Sequence, residues 1–181
     1  FIGNFFLALI PYKIWGRLAT FHRKDRTPTI NSPYGLIEFA LTAILASSSC
    51  AIIIGWGLDM LKLLPFVSIS IIIILNNTVM SLVFGPLILP ILYKKVKKWG
   101  LLWTDIMYSN DISNPDYPNT YSLMVVIGSI GGLVTGLAVS LLFAWKAGFS
   151  FVPVNMPMGN IFFGVSVLPF LVVLFYGSLK L

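Results

Sequence analysis

The residues of this chain that could do chemistry are few, and two neighbouring asparagines are the most informative. Asn76 and Asn77 lie near the middle of a stretch, Leu63 to Leu92, that carries no charged side chain. An amide in such surroundings has no water to bond, so it needs a protein partner, a bound molecule or a polar cavity. Successive helical residues point about 100° apart, so the two amides cannot use the same neighbour. Two interpretations stay open: hydrogen bonds between helices, or the polar lining of a substrate pocket.

A second candidate for binding is an aromatic and methionine-rich segment, Gly148 to Asn160. A loop with no function would be polar. This composition therefore predicts a segment that folds back over the helix bundle and closes a cavity from outside. Its side chains Phe149, Phe151, Asn155 and Met156 would then contact the bound molecule. The alternative is a re-entrant or interfacial loop that binds nothing.

No catalytic pattern accompanies these residues. The sequence has no pair of carboxylates within an apolar stretch, no His/Cys cluster, no nucleophile elbow and no Gly-rich phosphate loop with Lys. We therefore expect no enzyme activity, no metal and no cofactor. Glu38 is expected to form an ion pair or to lie at the membrane interface, and Asp59 to pair with Lys62 at the surface. The single cysteine, Cys50, is expected to be a small packing residue.

Composition predicts the class of protein that positions these residues. Of the 181 residues, 57% are hydrophobic and 10% are charged, whereas about a quarter of the residues of an ordinary soluble domain are charged. Disordered chains are rich in charge and poor in apolar residues, so disorder is excluded. One cysteine cannot build a disulfide scaffold. The sequence therefore predicts an all-α integral membrane protein.

Apolar stretches long enough to cross about 30 Å of hydrocarbon predict the helices. The predicted spans are 1–15, 35–58, 63–92, 121–145 and 160–179, with cytoplasmic loops 16–34 and 93–120. The first stretch is too short for a full crossing and is interpreted as the second half of a helix that begins before Phe1. We expect a single domain, residues 1–181, that is a bundle of about six transmembrane helices, five of them visible and the first truncated.

The distribution of basic residues predicts the orientation. Of the twelve Lys and Arg residues, only Lys62 and Lys146 fall on the side opposite the two long loops. The positive-inside rule then places the long loops and the C-terminus in the cytoplasm of a multi-pass protein of the cell (plasma) membrane. The basic residues thus report topology, and no motif indicates that the protein binds nucleic acid.

Rows of small residues predict where helices approach each other closely. Lipid is as apolar as leucine, so membrane helices associate through backbone contact at small residues. The rows are Ala43, Ser47, Ala51 and Gly55 in the second span, Asn77, Ser81 and Gly85 in the third, and Gly128, Gly132, Gly136 and Ser140 in the fourth. Each row is either helix packing inside the bundle or a docking surface for another membrane subunit.

Two segments resemble the substrate-binding S component of energy-coupling factor (ECF) vitamin and micronutrient transporters. The first is Gly3-Asn-Phe-Phe-Leu-Ala-Leu-Ile-Pro-Tyr12, and the second runs from Asn76-Asn77 through Gly85-Pro86 to Lys97-Lys98-Trp99-Gly100-Leu-Leu-Trp-Thr-Asp-Ile-Met107. The Ala-rich first helix by which that family often docks its membrane partner is not present in this sequence.

The resemblance implies a substrate-capturing subunit of an ABC-type importer that binds a small vitamin-like molecule from outside. It implies a transmembrane coupling subunit and cytoplasmic ATPases as partners, and a tipping motion that releases the cargo inside. Asn76, Asn77 and the outer segment would form the pocket, and the small-residue rows would be sliding surfaces. The alternative is a transmembrane sensor or input module of a signalling protein, and the neighbouring genes would distinguish the two.

Overall fold

The computed structural model describes residues 1–15, 30, 32–106, 120–146 and 159–181, and most of these are helical with no strand among them. The helices are α1 (Ile2–Ile14), α2 (Pro33–Met60), α3 (Phe66–Lys98), α4 (Trp103–Ile106), α5 (Thr120–Val126), α6 (Gly132–Lys146) and α7 (Ile161–Lys180). A π-helical turn, Ile127–Gly131, connects α5 to α6, so that the two form one continuous helix, hereafter the α5–α6 helix.

Among the described residues, four helices are long and apolar enough to cross a membrane: α2, α3, the α5–α6 helix and α7. The helix α1 is also apolar but has 13 residues, which is about 20 Å of helix. The chain is therefore an all-α, multi-pass membrane protein, as its composition predicts. The helices begin and end within three residues of the predicted spans, apart from the end of α3.

The helix α3 continues beyond its predicted end at Leu92 to Lys98. Its 33 residues make roughly 50 Å of helix, which exceeds the hydrocarbon thickness of about 30 Å. The predicted loop, 93–120, therefore begins later than expected, because residues 93–98 are helical. The extra turns carry the exposed side chains of Lys94, Lys95, Lys97 and Lys98. The extension therefore carries the lysines beyond the apolar part of α3.

The helix α2 is the centre of the bundle. In the apolar 18-residue stretch of α2, 61% of the residues are buried, whereas 17% are buried in the corresponding stretch of α3. The helix packs against α1 and α3 along its length and also contacts the π-helical turn, α6 and α7. On the other side of the bundle, α7 packs along the α5–α6 helix. The helix α3 thus has one packed side and one open side.

Side chains cap α2 and α7, because the first N–H groups of a helix have no acceptor within the helix. At the start of α2, the Ser32 hydroxyl accepts a hydrogen bond from the Gly35 N–H at 3.1 Å. At the start of α7, the Asn160 side chain accepts one from the Phe162 N–H at 2.9 Å. Both caps come from residue types that favour this position.

Asp59, near the end of α2, joins three segments of the chain. Its side chain is 3% exposed. One carboxylate oxygen accepts a hydrogen bond from the Phe66 N–H at 2.8 Å, and the other from the Gly159 N–H at 3.0 Å. The expectation of a surface pair with Lys62 is therefore wrong, because the carboxylate is buried and both oxygens accept from the backbone. Lys62 is exposed, and its carbon chain lies against Gly159.

We expect Asp59→Ala to destabilise the protein by about 1–3 kcal/mol, because two N–H groups lose their acceptor at once. Thermal unfolding of the full chain in lipid nanodiscs would show this as a lower midpoint temperature. The control is Asp105→Ala, which removes an exposed carboxylate that accepts a hydrogen bond from the Leu102 N–H. Equal midpoints for the two variants would contradict the role given to Asp59.

Candidate functional site

The helices α1, α2 and α3 line a partly open cavity of about 380 Å³. This volume falls within the range of small-molecule pockets, about 300–1,000 Å³. The residues that line it are Leu7, Pro11, Tyr12, Trp15, Phe39, Thr42, Ala43, Ala46, Ser81 and Leu89. None of these lining residues carries a formal charge, so the cavity is a mainly apolar site.

Each of the three helices turns one face toward the cavity. On α1, Leu7, Pro11 and Trp15 are four residues apart and so lie on one side of the helix. The residues from α2 (Phe39, Thr42, Ala43 and Ala46) and from α3 (Ser81 and Leu89) show the same helical spacing. The small side chains come from α2 and α3 and the aromatic ones mainly from α1. The cavity is therefore the space between small residues on two helices and larger residues on the third.

Two aromatic rings form one wall of the cavity. The rings of Trp15 and Phe39 meet edge to face, with their centroids 6.3 Å apart. The Phe39 ring lies against Gly85 of α3, where any Cβ would collide with it. The missing side chain of Gly85 therefore lets Phe39 pack between α2 and α3 beside the cavity. Aromatic faces of this kind stabilise flat, apolar guests.

Polar groups at the cavity are few. They belong to Tyr12, Trp15, Thr42 and Ser81. Thr42 is 2% exposed, and its hydroxyl oxygen has no hydrogen-bond partner in the described ranges. Burying a hydroxyl without a partner costs free energy, so such a group is uncommon in a helix bundle. One turn earlier on the same face of α2 lies Glu38, which is fully buried.

The two predicted asparagines do not line this cavity. Asn76 is exposed on the open side of α3, and Asn77 is half-buried. Asn77 precedes Ser81 by four residues and so lies one turn from the cavity on the same face. The other predicted contacts, Phe149, Phe151, Asn155 and Met156, lie outside the residues that the structure describes.

The small-residue row of α2 faces α3 and the interior. Ala43, Ser47, Ala51 and Gly55 are all buried. The Ser70 hydroxyl of α3 donates a hydrogen bond to the Ala51 carbonyl at 3.4 Å. The Phe66 ring lies so close to Gly55 that a Cβ there would be 2.9 Å from it. In this structure the row is helix packing inside the chain.

The row of the α5–α6 helix contacts three helices in turn. Gly128 lies against the backbone of Leu174 in α7, Gly132 against Phe170 of α7 and Ile52 of α2, and Gly136 against the Phe66 ring of α3. Ser140 is half-buried. A step of four residues turns slightly more than one full helical turn, so the row drifts around the helix. The glycines of this row are therefore also packed within the chain.

The π-helical turn and most of the cavity were not found from the sequence. Ser129 is fully buried in that turn, and its hydroxyl donates hydrogen bonds to the Val125 and Val126 carbonyls at 2.6 and 3.3 Å. The clustered glycines on either side of Ser129 were the available signal. For the cavity, the sequence feature that points to it is the pair of aromatic residues Tyr12 and Trp15, which follow Pro11 at the end of α1.

Comparison with known proteins returns no relative for this arrangement. No protein-family model matches the chain, and no curated protein or solved structure matches it.

We expect Gly128→Ala to destabilise the bundle by about 1–3 kcal/mol, the usual cost of overpacking. An added Cβ would lie 2.6 Å from the Leu174 nitrogen and 2.7 Å from its Cα, and backbone atoms cannot rotate away. The matched control is Gly57→Ala, because a Cβ there meets nothing within 4 Å. Thermal unfolding in nanodiscs measures both variants. A Gly128→Ala midpoint at or above that of Gly57→Ala would contradict this packing.

Proposed function

We propose that this chain is the substrate-capturing membrane subunit of an ECF-type importer and holds its cargo between α1, α2 and α3. One observation carries the proposal: both segments that resemble the S components contribute to the lining of the cavity. Leu7, Pro11 and Tyr12 come from the first segment, and Ser81 and Leu89 from the second. Two segments that are distant in sequence thus meet at one site of suitable size.

The lining predicts the chemistry of the cargo. A charged guest would lose its hydration and find no opposite charge among the lining residues, which is costly in an apolar site. An uncharged molecule with a flat apolar body would instead pack against Trp15 and Phe39. The hydroxyl groups of Thr42 and Ser81 lie at the cavity and could form a small number of hydrogen bonds that orient it.

The energy for uptake comes from partners in this proposal. The sequence has no phosphate-binding Gly-rich loop, so a transmembrane coupling subunit and cytoplasmic ATPases would drive release. Capture from outside is followed by tipping of the bundle in the membrane. The cavity involves the first half of α2 and the part of α3 from its midpoint onward. These parts belong to the cytoplasmic leaflet in the orientation that the basic residues predict, so a cargo captured from outside must pass the outer half of the bundle to reach the cavity.

The binding site is tested by filling the cavity. We expect Ser81→Leu to reduce the amount of co-purifying small molecule at least about tenfold, because the larger side chain occupies the space of the guest. The matched control is Ser166→Leu on α7, since Ser166 has a similar exposure and lies away from the cavity. The full chain is extracted with its membrane partners in mild detergent, and bound compounds are identified by mass spectrometry.

Three outcomes of this experiment would count against the proposal. The first is a wild-type protein that retains no compound, and the second is equal retention by Ser81→Leu and Ser166→Leu. The third is a bound compound whose uptake by cells does not require an ATPase, because this result favours the sensor alternative.

The proposed orientation is tested by labelling single cysteines, one placed in the turn before α3 and one near the end of α3. We expect a membrane-impermeant maleimide to label Leu61→Cys in intact cells and Lys95→Cys only after permeabilisation, because lysines stay in the cytoplasm. Both positions are exposed, whereas the native Cys50 is buried. The reverse labelling pattern would invert the topology.

A further inference from the structure

The helix α3 exposes a row of side chains that no described helix covers. The row consists of Ile72, Asn76, Val79, Val83 and Leu87, and all five are exposed. Their spacings of four, three, four and four residues keep them on one side of the helix. The first three of these spacings are those of the seam between two helices of a coiled coil. We call this set the α3 seam.

Asn76 makes the α3 seam unlike an ordinary lipid-facing surface. It lies near the middle of the uncharged stretch Leu63 to Leu92, where water is absent. Its carboxamide has two donor hydrogens and an acceptor oxygen that acyl chains cannot satisfy. Polar side chains at this depth almost always face protein or a water-filled cavity. Its neighbour Asn77 is half-buried on the inner side, so Asn76 itself points outward. The exposure of this amide indicates that another protein helix covers the seam.

We propose that the α3 seam is the contact surface of a parallel homodimer, in which Asn76 of each copy hydrogen-bonds to Asn76 of the other. A carboxamide is both donor and acceptor and so complements a second carboxamide. In a two-fold interface a residue on the axis meets its own copy, which satisfies both amides. Two copies inserted in the same orientation have parallel α3 helices. A single asparagine in an apolar seam also fixes the register of such a pair.

The geometry of the seam suits close approach. Val79 and Val83 follow Asn76 in the seam and are shorter than the leucine and isoleucine at its ends. The seam ends at Leu87, before the first lysine of the helix, Lys94. The lysines of the two copies would therefore meet outside the hydrocarbon, where water and salt screen their repulsion. None of the five seam residues lines the cavity, so the dimer does not depend on the proposed cargo site.

Disulfide cross-linking of the full chain in native membranes tests the contact directly. Single variants Val79→Cys and Val83→Cys are oxidised with copper phenanthroline and air. The control is Val172→Cys on α7, because these three valines are 51%, 52% and 59% exposed. We expect a covalent dimer from the two α3 variants and none from Val172→Cys or the wild type. Equal cross-linking of all three variants, or adducts only with a different protein, would overturn the homodimer.

The role of Asn76 is tested by measuring the dimer dissociation constant in liposomes through single-molecule photobleaching. We expect Asn76→Leu to weaken the dimer about five- to thirtyfold, as interhelical hydrogen bonds do in membranes, and Asn76→Gln to retain most of the affinity. Because Asn76 is exposed, neither variant should change thermal unfolding at high dilution. A wild type that is monomeric at every density, or an unchanged constant for Asn76→Leu, would refute the proposal. Cargo retention by Asn76→Leu stays at the wild-type level, which separates this test from that of the cavity.

Discussion

The structure depends on one constraint: lipid provides no hydrogen bonds, so the chain must satisfy its own buried polar groups. Asp59 meets this constraint where α2, α3 and the start of α7 converge. Its carboxylate accepts the Phe66 and Gly159 N–H groups, which would otherwise lack partners. A charged acceptor makes shorter and stronger hydrogen bonds than a neutral one. The same residue that ends one helix therefore determines where the next begins and where the last is attached.

Phe66, whose N–H bonds to Asp59, also packs its ring at the centre of the bundle. Its ring is fully buried and lies against Gly55 of α2 and Gly136 of α6. It also packs on the Phe163 ring of α7, with centroids 5.1 Å apart. One aromatic side chain thus contacts three helices, and it fits because two of its neighbours have no Cβ. The glycines that the sequence identifies as close-approach positions therefore accommodate a single ring as well as helix backbones.

The sequence predicts the helices well because span length and hydropathy are local properties. It does not predict the rotation of each helix, which depends on packing among distant segments. The pair Asn76 and Asn77 illustrates this limit: the two must point about 100° apart, but only tertiary contacts decide that Asn77 lies inward. The cavity has the same origin, because Trp15, Phe39 and Ser81 come from three helices. Asp59 was misassigned for a related reason, since its partner N–H groups lie across a turn and 100 residues away.

The helix α3 is buried where Asp59 holds its start and is less buried where it lines the cavity. The buried residues of this helix are Phe66, Val67 and Ser70, all in its first two turns. Ser81 and Leu89, which line the cavity, lie in the less buried part of the helix. Loosely packed segments move at a lower free-energy cost than buried ones. A displacement of that part would widen or narrow the cavity while Asp59 still holds the start of α3.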